Sequence, residues 1–281
     1  MGVKIVTDSA SDLPLDLLGK TGIAMVPLTV HFGDEEYKDA VEMGASEFYV
    51  KLPSAQHHPR TSQPSPTDFV DCYQRVGAAG DSIISIHLSS KLSGTYQSAV
   101  LAKSMLPDLD VEVVDSKSAS LGYGIMALRA AQLVGEGASK EAILADLEGV
   151  SARLHVVFTV DTLEYLKRNG RIGAAQHLLG TLLNMKPVLG LDKEGAVTAL
   201  DRVRGKGKVI PRLLEIMQER VLAGSSIRCA VMHANAPEAA NEVMDRVRGV
   251  YQVEEGLIGL LGAIIGTHVG PGTVGIAFYA V

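Results

Sequence analysis

Short apolar runs separated by amphipathic stretches set the pattern of this chain. Val3 to Val6 and Ile23 to Val30 read as strands, with Asp12 and Pro14 placed to open a helix between them. The order repeats. Ser65-Pro66-Thr67-Asp68 has the form of a capping box with proline at the first helical position, leading into a helix over about 66 to 78 and the apolar strand Ser82 to His87. A helix from Thr95, a strand at Val111 to Val114, and helices around Ser120 to Val134 and from the Ser139 cap to about Ala152 continue the alternation. Alternation of this kind predicts a mainly parallel sheet with helices on both faces.

After His155 to Val160 the pattern changes. Lys186 to Leu191 and Val197 to Val203 flank the turn-like Asp192-Lys193-Glu194-Gly195 and read as antiparallel neighbours. A helix over about Lys208 to Leu222, a strand at Arg228 to His233, a helix opened by Pro237 and a closing strand near Thr273 to Tyr279 follow. The expected fold is therefore α/β in two domains: residues 1–154 with the parallel sheet, and residues 155–281 with a mixed or antiparallel sheet and helices. No Pro-rich or Gly/Ser-rich linker marks the boundary, so a broad interface is expected, and a cleft there is a natural ligand site.

Composition narrows the choice of function. At 47% hydrophobic and 21% charged residues the chain has a globular balance, which excludes global disorder. A formal net charge of −6, with 5% aromatics and no tryptophan, argues against broad nucleic-acid binding. The longest apolar run, Leu257 to Ile265, contains two glycines and is too short to span a bilayer. The first residues run straight into Val3-Lys4-Ile5-Val6 without an apolar leader, and Val6 stands where myristoylation requires Ser or Thr, so a soluble cytoplasmic protein is expected. Cys72 and Cys229 are lone thiols without metal-ligand spacing, and neither a disulfide nor a metal site is expected.

Three hydroxyl- and glycine-rich loops stand out: Thr61 to Pro66, Ser89 to Thr95 and Thr267 to Gly272. If they converge, their hydroxyls, imidazole and backbone N–H groups can replace the water lost by a buried carboxylate or phosphate. Ser93, after a strand and before a helix, either contacts such an anion together with Gly94 and the next turn or caps the helix. Thr61 and Ser62 are ligand candidates, although an ordinary surface turn explains them more simply. His268 adjoins Thr267 and precedes Gly270-Pro271-Gly272, where backbone can approach a ligand closely. Thr7 and Ser9, flanking Asp8 at the end of the first strand, are secondary wall candidates. Arg171 with Lys167-Arg168, and Arg202 with Arg204, Lys206 and Lys208, either dock an anionic partner or form a solvated face. Nucleophile-elbow, Walker A and dinucleotide fingerprints are absent.

Taken in order, Thr7-Asp8-Ser9 with Asp12-Leu13-Pro14, Thr61 to Pro66, Ser89 to Thr95, Thr162 to Leu166 leading into Gly170-Arg171-Ile172-Gly173, and Thr267 to Gly272 resemble the DegV family through almost the whole chain. The resemblance implies two α/β domains holding a lipid between them, similar in fold to dihydroxyacetone kinase domains. It implies a long-chain fatty acid as ligand and, by analogy with some members, a non-catalytic subunit that presents the acid to a separate ATP-binding fatty acid kinase subunit. On that basis Ser93 and His268 contact the carboxylate with Thr61 and Ser62 close by, Gly94 and Thr267 join the secondary wall, and Arg171 and Arg202 engage the kinase. Residues 178–185 and 257–265 are candidate tunnel walls, or plain core. No catalytic residue, metal or cofactor is implied. Ala40 and Asn169 depart from the family pattern, away from the proposed head-group residues. Two rivals remain: an acyl hydrolase or transferase with Ser93 as nucleophile, and a hydroxyketone-binding kinase domain using His268.

Overall fold

The computed structural model describes residues 2–180 and 185–281. In chain order its strands and helices are β1 (Val3–Asp8), α1 (Leu15–Thr21), β2 (Ala24–Val26), β3 (Thr29–Phe32), β4 (Glu35–Lys38), α2 (Ala45–Lys51), β5 (Arg60–Ser62), α3 (Pro66–Val76), β6 (Ser82–His87), α4 (Thr95–Met105), β7 (Asp110–Asp115), α5 (Leu121–Gly135) and α6 (Lys140–Arg153). The second half adds β8 (His155–Thr159), α7 (Glu164–Arg168), β9 (Met185–Leu191), β10 (Val197–Arg204), α8 (Val209–Arg220), β11 (Ser226–His233), α9 (Pro237–Arg248), β12 (Gln252–Leu260), α10 (Ala263–Val269) and β13 (Val274–Ala280).

A parallel sheet runs β2-β1-β6-β7, and a mixed sheet runs β10-β9-β8-β13-β11-β12, in which β11 and β12 are parallel and the other pairs antiparallel. A small antiparallel sheet, β4-β3-β5, lies beside them. Helices α3 and α4 cover one face of the parallel sheet, and α1 and α5 the other. Helix α5 also packs on β11 and β13 of the mixed sheet, whose far face carries α8 and α9. The layers are thus α/β/α/β/α, with α5 shared in the middle. Among the described residues no strand pairs across residue 154, and the division at that point, which we retain as a proposal, follows this partition. The core does not divide there: one cluster joins Ile84 and Ile86 of β6, α5, and Ala230 and Met232 of β11.

Burial on two sides explains the sequence of α5. Every residue from Leu121 to Ala127 is buried, as expected for a helix apolar all round. Two glycines allow close approach of neighbouring segments to the helix. A Cβ at Gly122 would strike Ser118 Oγ and sit 3.1 Å from Val156 of β8, whereas one at Gly124 would lie 2.9 Å from the Ser11 carbonyl and 3.2 Å from Leu13.

The strand-to-loop edge of the parallel sheet is organised by Asp8, which is fully buried. Its Oδ1 accepts from Tyr123 OH of α5 at 2.6 Å and from Ala10 N at 3.1 Å. Its Oδ2 lies 2.9 Å from His87 Nδ1 and accepts from Leu88 N at 3.2 Å. His87 Nε2 lies 2.6 Å from Ser85 Oγ, which accepts from Tyr73 OH at 2.9 Å.

Most expected elements form, with three differences. The strand expected over Ile23 to Val30 is broken at Pro27-Leu28. Pro27 has no N–H to donate, and Leu28 N turns to Ser9 Oγ at 3.0 Å, so β2 stays with β1 while β3 leaves for the small sheet. The expected loop Thr267 to Gly272 begins as helix: Thr267, His268 and Val269 are the last turn of α10, ended by Gly270 at φ 73°. The apolar run Leu257 to Ile265 is two elements, the end of β12 and the start of α10. Strands β4, β5 and β12 and helices α2 and α7 were not expected. Cys72 and Cys229 are free and buried.

Tyr123→Phe keeps the ring and removes one of four donors to Asp8. The expected result is a loss of about 1–3 kcal/mol in urea denaturation; an unchanged midpoint would show that Tyr123 contributes packing alone.

Candidate functional site

Between the carboxyl edge of the parallel sheet and the inner face of the mixed sheet lies a cavity of about 350 Å³. Its walls are aliphatic and aromatic: Leu28 and Leu88 just beyond β2 and β6, Val156 and Phe158 on alternate positions of β8, Met232 of β11, and Leu261, Ile264 and Val269 around α10. Open α/β sheets commonly bind ligands at this edge, and drug-sized cavities have this apolar character with a few convergent polar groups. Leu261, Ile264 and Ile265 fulfil part of the expected 257–265 wall. Of the other expected wall, residues 181–184 lie outside the described residues, and Leu178 belongs to the core.

The polar groups gather from three separate segments. Thr61 and Ser62 come from β5, Ser93 from the loop before α4, and His268 from the end of α10. Thr61 Oγ1 lies 2.9 Å from His268 Nε2. Ser93 Oγ lies 2.9 Å from Thr95 Oγ1 and accepts from Thr95 N at 3.3 Å, so it both supports the start of α4 and lines the cavity. The loop carrying it is shaped by buried Ser89, whose carbonyl accepts from Leu92 N and Ser93 N and whose hydroxyl donates to the Gly195 carbonyl in the β9–β10 turn at 2.9 Å.

Arg171, expected at a docking surface, lines the same cavity. Its Nε donates to the Leu92 carbonyl at 3.1 Å and its Nη1 to the Asn169 carbonyl at 2.7 Å, tying the loop after α7 to the loop that carries Ser93. Burial above all, then the positive charge of Arg171 and the neighbouring His58, push the His268 imidazole down from its ordinary 6.5 to about 3. His268 is therefore a neutral hydrogen-bonding group at physiological pH. Its Nδ1 is enclosed and has no hydrogen-bond partner among the described residues. Gln63 and Ser120 also line the cavity and were not singled out in the sequence; the amide in Thr61 to Pro66 was the available signal for Gln63, and Ser120 had none beyond its place before α5.

The secondary wall candidates fall behind the site. Thr7 Oγ1 donates to the Ile86 carbonyl at 3.0 Å and Ser9 Oγ accepts from Leu28 N, so both brace strands rather than line the cavity. Gly94 serves close packing: a Cβ there would collide with the Gln63 amide, which donates to Ser98 Oγ at 3.0 Å. Thr267 is fully buried, and its carbonyl accepts from Asn169 Nδ2 at 3.0 Å. Arg202 is exposed on β10 and does not line the cavity. The hydroxyls of Ser93 and Thr61 have different partners: Ser93 Oγ faces Thr95, and His268 Nε2 faces Thr61, so the pairing that an acyl-enzyme reading requires between Ser93 and His268 is not formed.

Fold and site together define an α/β protein with a largely apolar chamber lined also by hydroxyls, a neutral imidazole and a guanidinium. The chain belongs to the DegV family, described as "Uncharacterised protein, DegV family", whose sequence profile it matches over residues 2–281. It is 37% identical over 279 residues to Protein DegV of Bacillus subtilis, covering 99% of each chain. A solved structure described as showing fatty acid binding of a DegV family protein from Thermus thermophilus is 44% identical, with a TM-score of 0.93 and full coverage of both chains. A stearic acid-binding protein from Eubacterium ventriosum is 26% identical, with a TM-score of 0.89, covering 100% of this chain and 98% of its own.

Because the folded imidazole binds its proton far more weakly than the unfolded one, the unfolded state gains protons first as pH falls from about 6.5 towards 3. His268 thus contributes stability that is present above about 6.5 and lost as pH falls through that window. The expected measurements are a His268 ring resonance that does not titrate between pH 5 and 8, and a smaller stability loss between pH 6.5 and 4 in His268→Gln. A midpoint near 6.5 for the His268 resonance would contradict the assignment.

Proposed function

We propose that this protein holds a long-chain fatty acid, with the tail in the apolar chamber and the carboxylate among Ser93, Thr61, Ser62 and His268, and presents it in the cytoplasm to a separate kinase subunit. The observation that carries the reading is the meeting of Thr61, Ser93, Arg171 and His268, from four separate segments, in a cavity whose walls are otherwise mostly apolar. Fatty acid binding by the Thermus thermophilus and Eubacterium ventriosum relatives supports it. The tail supplies affinity, at about 0.8 kcal/mol per buried methylene, or roughly 11 kcal/mol gross for about 14 methylenes. Association entropy and desolvation offset much of that, so the polar end chiefly fixes orientation and keeps the charge paired.

In the proposed reaction a carboxylate oxygen attacks the γ-phosphorus of ATP held by the kinase subunit. The bond to the β–γ bridging oxygen breaks, ADP leaves with the electron pair, and an acyl phosphate results. Arg171, at the rim of the cavity, and Arg202, exposed on β10, are the proposed contacts to the kinase.

Mass spectrometry of organic extracts, quantified against protein, tests the binding. Near-stoichiometric fatty acid is expected in the wild type, with retention falling about tenfold in Ser93→Ala and in His268→Ala, the scale of one lost hydrogen bond to a charged group. Unchanged occupancy in both variants would remove the head-group assignment. Arg202→Ala is expected to keep its lipid while slowing acyl phosphate formation by an added fatty acid kinase subunit at least tenfold; equal rates would free Arg202 of that role.

A further inference from the structure

Strand β5 stands between two cavities. Thr61 faces His268 and the apolar chamber, whereas Arg60, the residue before it, opens on a second and more polar cleft of about 600 Å³. His31, opposite Arg60 in the β3–β5 ladder, lines that cleft, and its Nε2 lies 2.9 Å from the hydroxyl of Ser62, a chamber residue. His57, His58 and Arg168 form much of the remainder. Asn169 closes the side towards α10: its Nδ2 lies 2.9 Å from His58 Nε2 and donates to the Thr267 carbonyl, one residue before His268. Since that amide nitrogen can only donate, His58 Nε2 accepts and the neutral ring carries its proton on Nδ1.

The charges favour an anion. Arg168 Nε donates to Glu164 Oε1 at 2.7 Å, which spends part of its charge, and Asp34 is the carboxylate among the lining residues. Arg60 forms no ion pair among the described residues and leaves an unneutralised guanidinium at the cleft. Both guanidiniums act on His58, which burial first and these charges next hold below its ordinary proton affinity. No group of three or more His, Cys, Asp or Glu side chains among the described residues has the geometry to hold a metal ion.

We propose that this cleft is a phosphate-binding site, with Arg60 as its principal cation and the imidazoles of His57 and His58 as N–H donors. A guanidinium fork beside N–H donors matches the oxygens of a phosphate group better than it matches any neutral ligand. The phosphate has two sources: free phosphate, or the phosphoryl group of an acyl phosphate whose tail lies in the chamber. The second source rests on the kinase-partner reading above.

Isothermal titration of wild type and Arg60→Gln with inorganic phosphate, and separately with a hydrolysis-resistant long-chain acyl phosphonate, tests the site. Arg60 is exposed, and thermal melting of the variant confirms that it folds. The expected result is saturable phosphate binding in the wild type that weakens at least tenfold in Arg60→Gln, with fatty-acid occupancy unchanged. Tenfold weakening for the phosphonate alone would support the site and assign its phosphate to the acylated source. Equal binding of both probes by the two proteins, or by neither, overturns the proposal. Phosphate binding in a protein that retains no fatty acid would keep this site and sink the fatty-acid reading, so the two failures are distinguishable.

Discussion

A single buried carboxylate sets the frame on which the chamber is hung. Asp8 is completely enclosed, and an isolated charge there would cost several kcal/mol in desolvation. Four donors answer it: two backbone N–H groups, the Tyr123 phenol and the His87 ring. These partners come from the loop after β1, the end of β6 and the core of α5. Satisfying one side chain therefore fixes two parallel strands and the shared central helix at the edge where the Ser93 loop departs. The linear order Ser85, His87, Asp8 has the connectivity of a nucleophile, base and orienting acid, yet all three are enclosed and Tyr73 already donates to Ser85. Its physical role is to pin the sheet.

A second pair of carboxylates carries that order to the other side of the chamber. Asp12 accepts from the Ser120 hydroxyl and from Gly262 N, while Asp39 accepts from Ala263 N, so both reach the first residues of α10 from the N-terminal half. Burial pushes Asp39 up to about 7 and Asp12 well above the ordinary carboxylate range. Groups with so little preference for the charged form near neutral pH can be enclosed at modest cost. Helix α10 is only seven residues long, and its start is held by contacts more than two hundred positions away in sequence. His268 inherits its position from them: one end of the helix is anchored by Asp12 and Asp39, and the other presents the imidazole to Thr61.

This arrangement explains how far the sequence could be read. Regular alternation made the parallel sheet legible, because β1, β6, β7 and the helices between them are each continuous in sequence and follow the local rules of period and capping; the Ser65 cap with Asp68 forms as read. The small β4-β3-β5 sheet was not legible, since its strands are three or four residues long and owe their pairing to tertiary contacts. The residues proposed for the head group, Thr61, Ser93 and His268, were legible as chemistry but not as geometry. Arg171 shows the limit: its basic neighbours suggested a solvated face, and only its hydrogen bonds to the Leu92 and Asn169 carbonyls reveal that it closes the chamber.

The electrostatics of the polar end follow from these constraints. A cationic His268 would place a buried positive charge near that of Arg171, and the low proton affinity of the ring avoids this. In the proposed reading the neutral imidazole and the hydroxyls complete the hydrogen bonds of the carboxylate. In that reading a ligand lacking the acid would leave Thr61, Ser93 and His268 without that partner, and one lacking the tail would forgo the burial that supplies most of the affinity. The selectivity for an amphiphilic anion that we propose arises from the polar and apolar walls of the chamber acting on different parts of the same molecule, with His268 placed by α10.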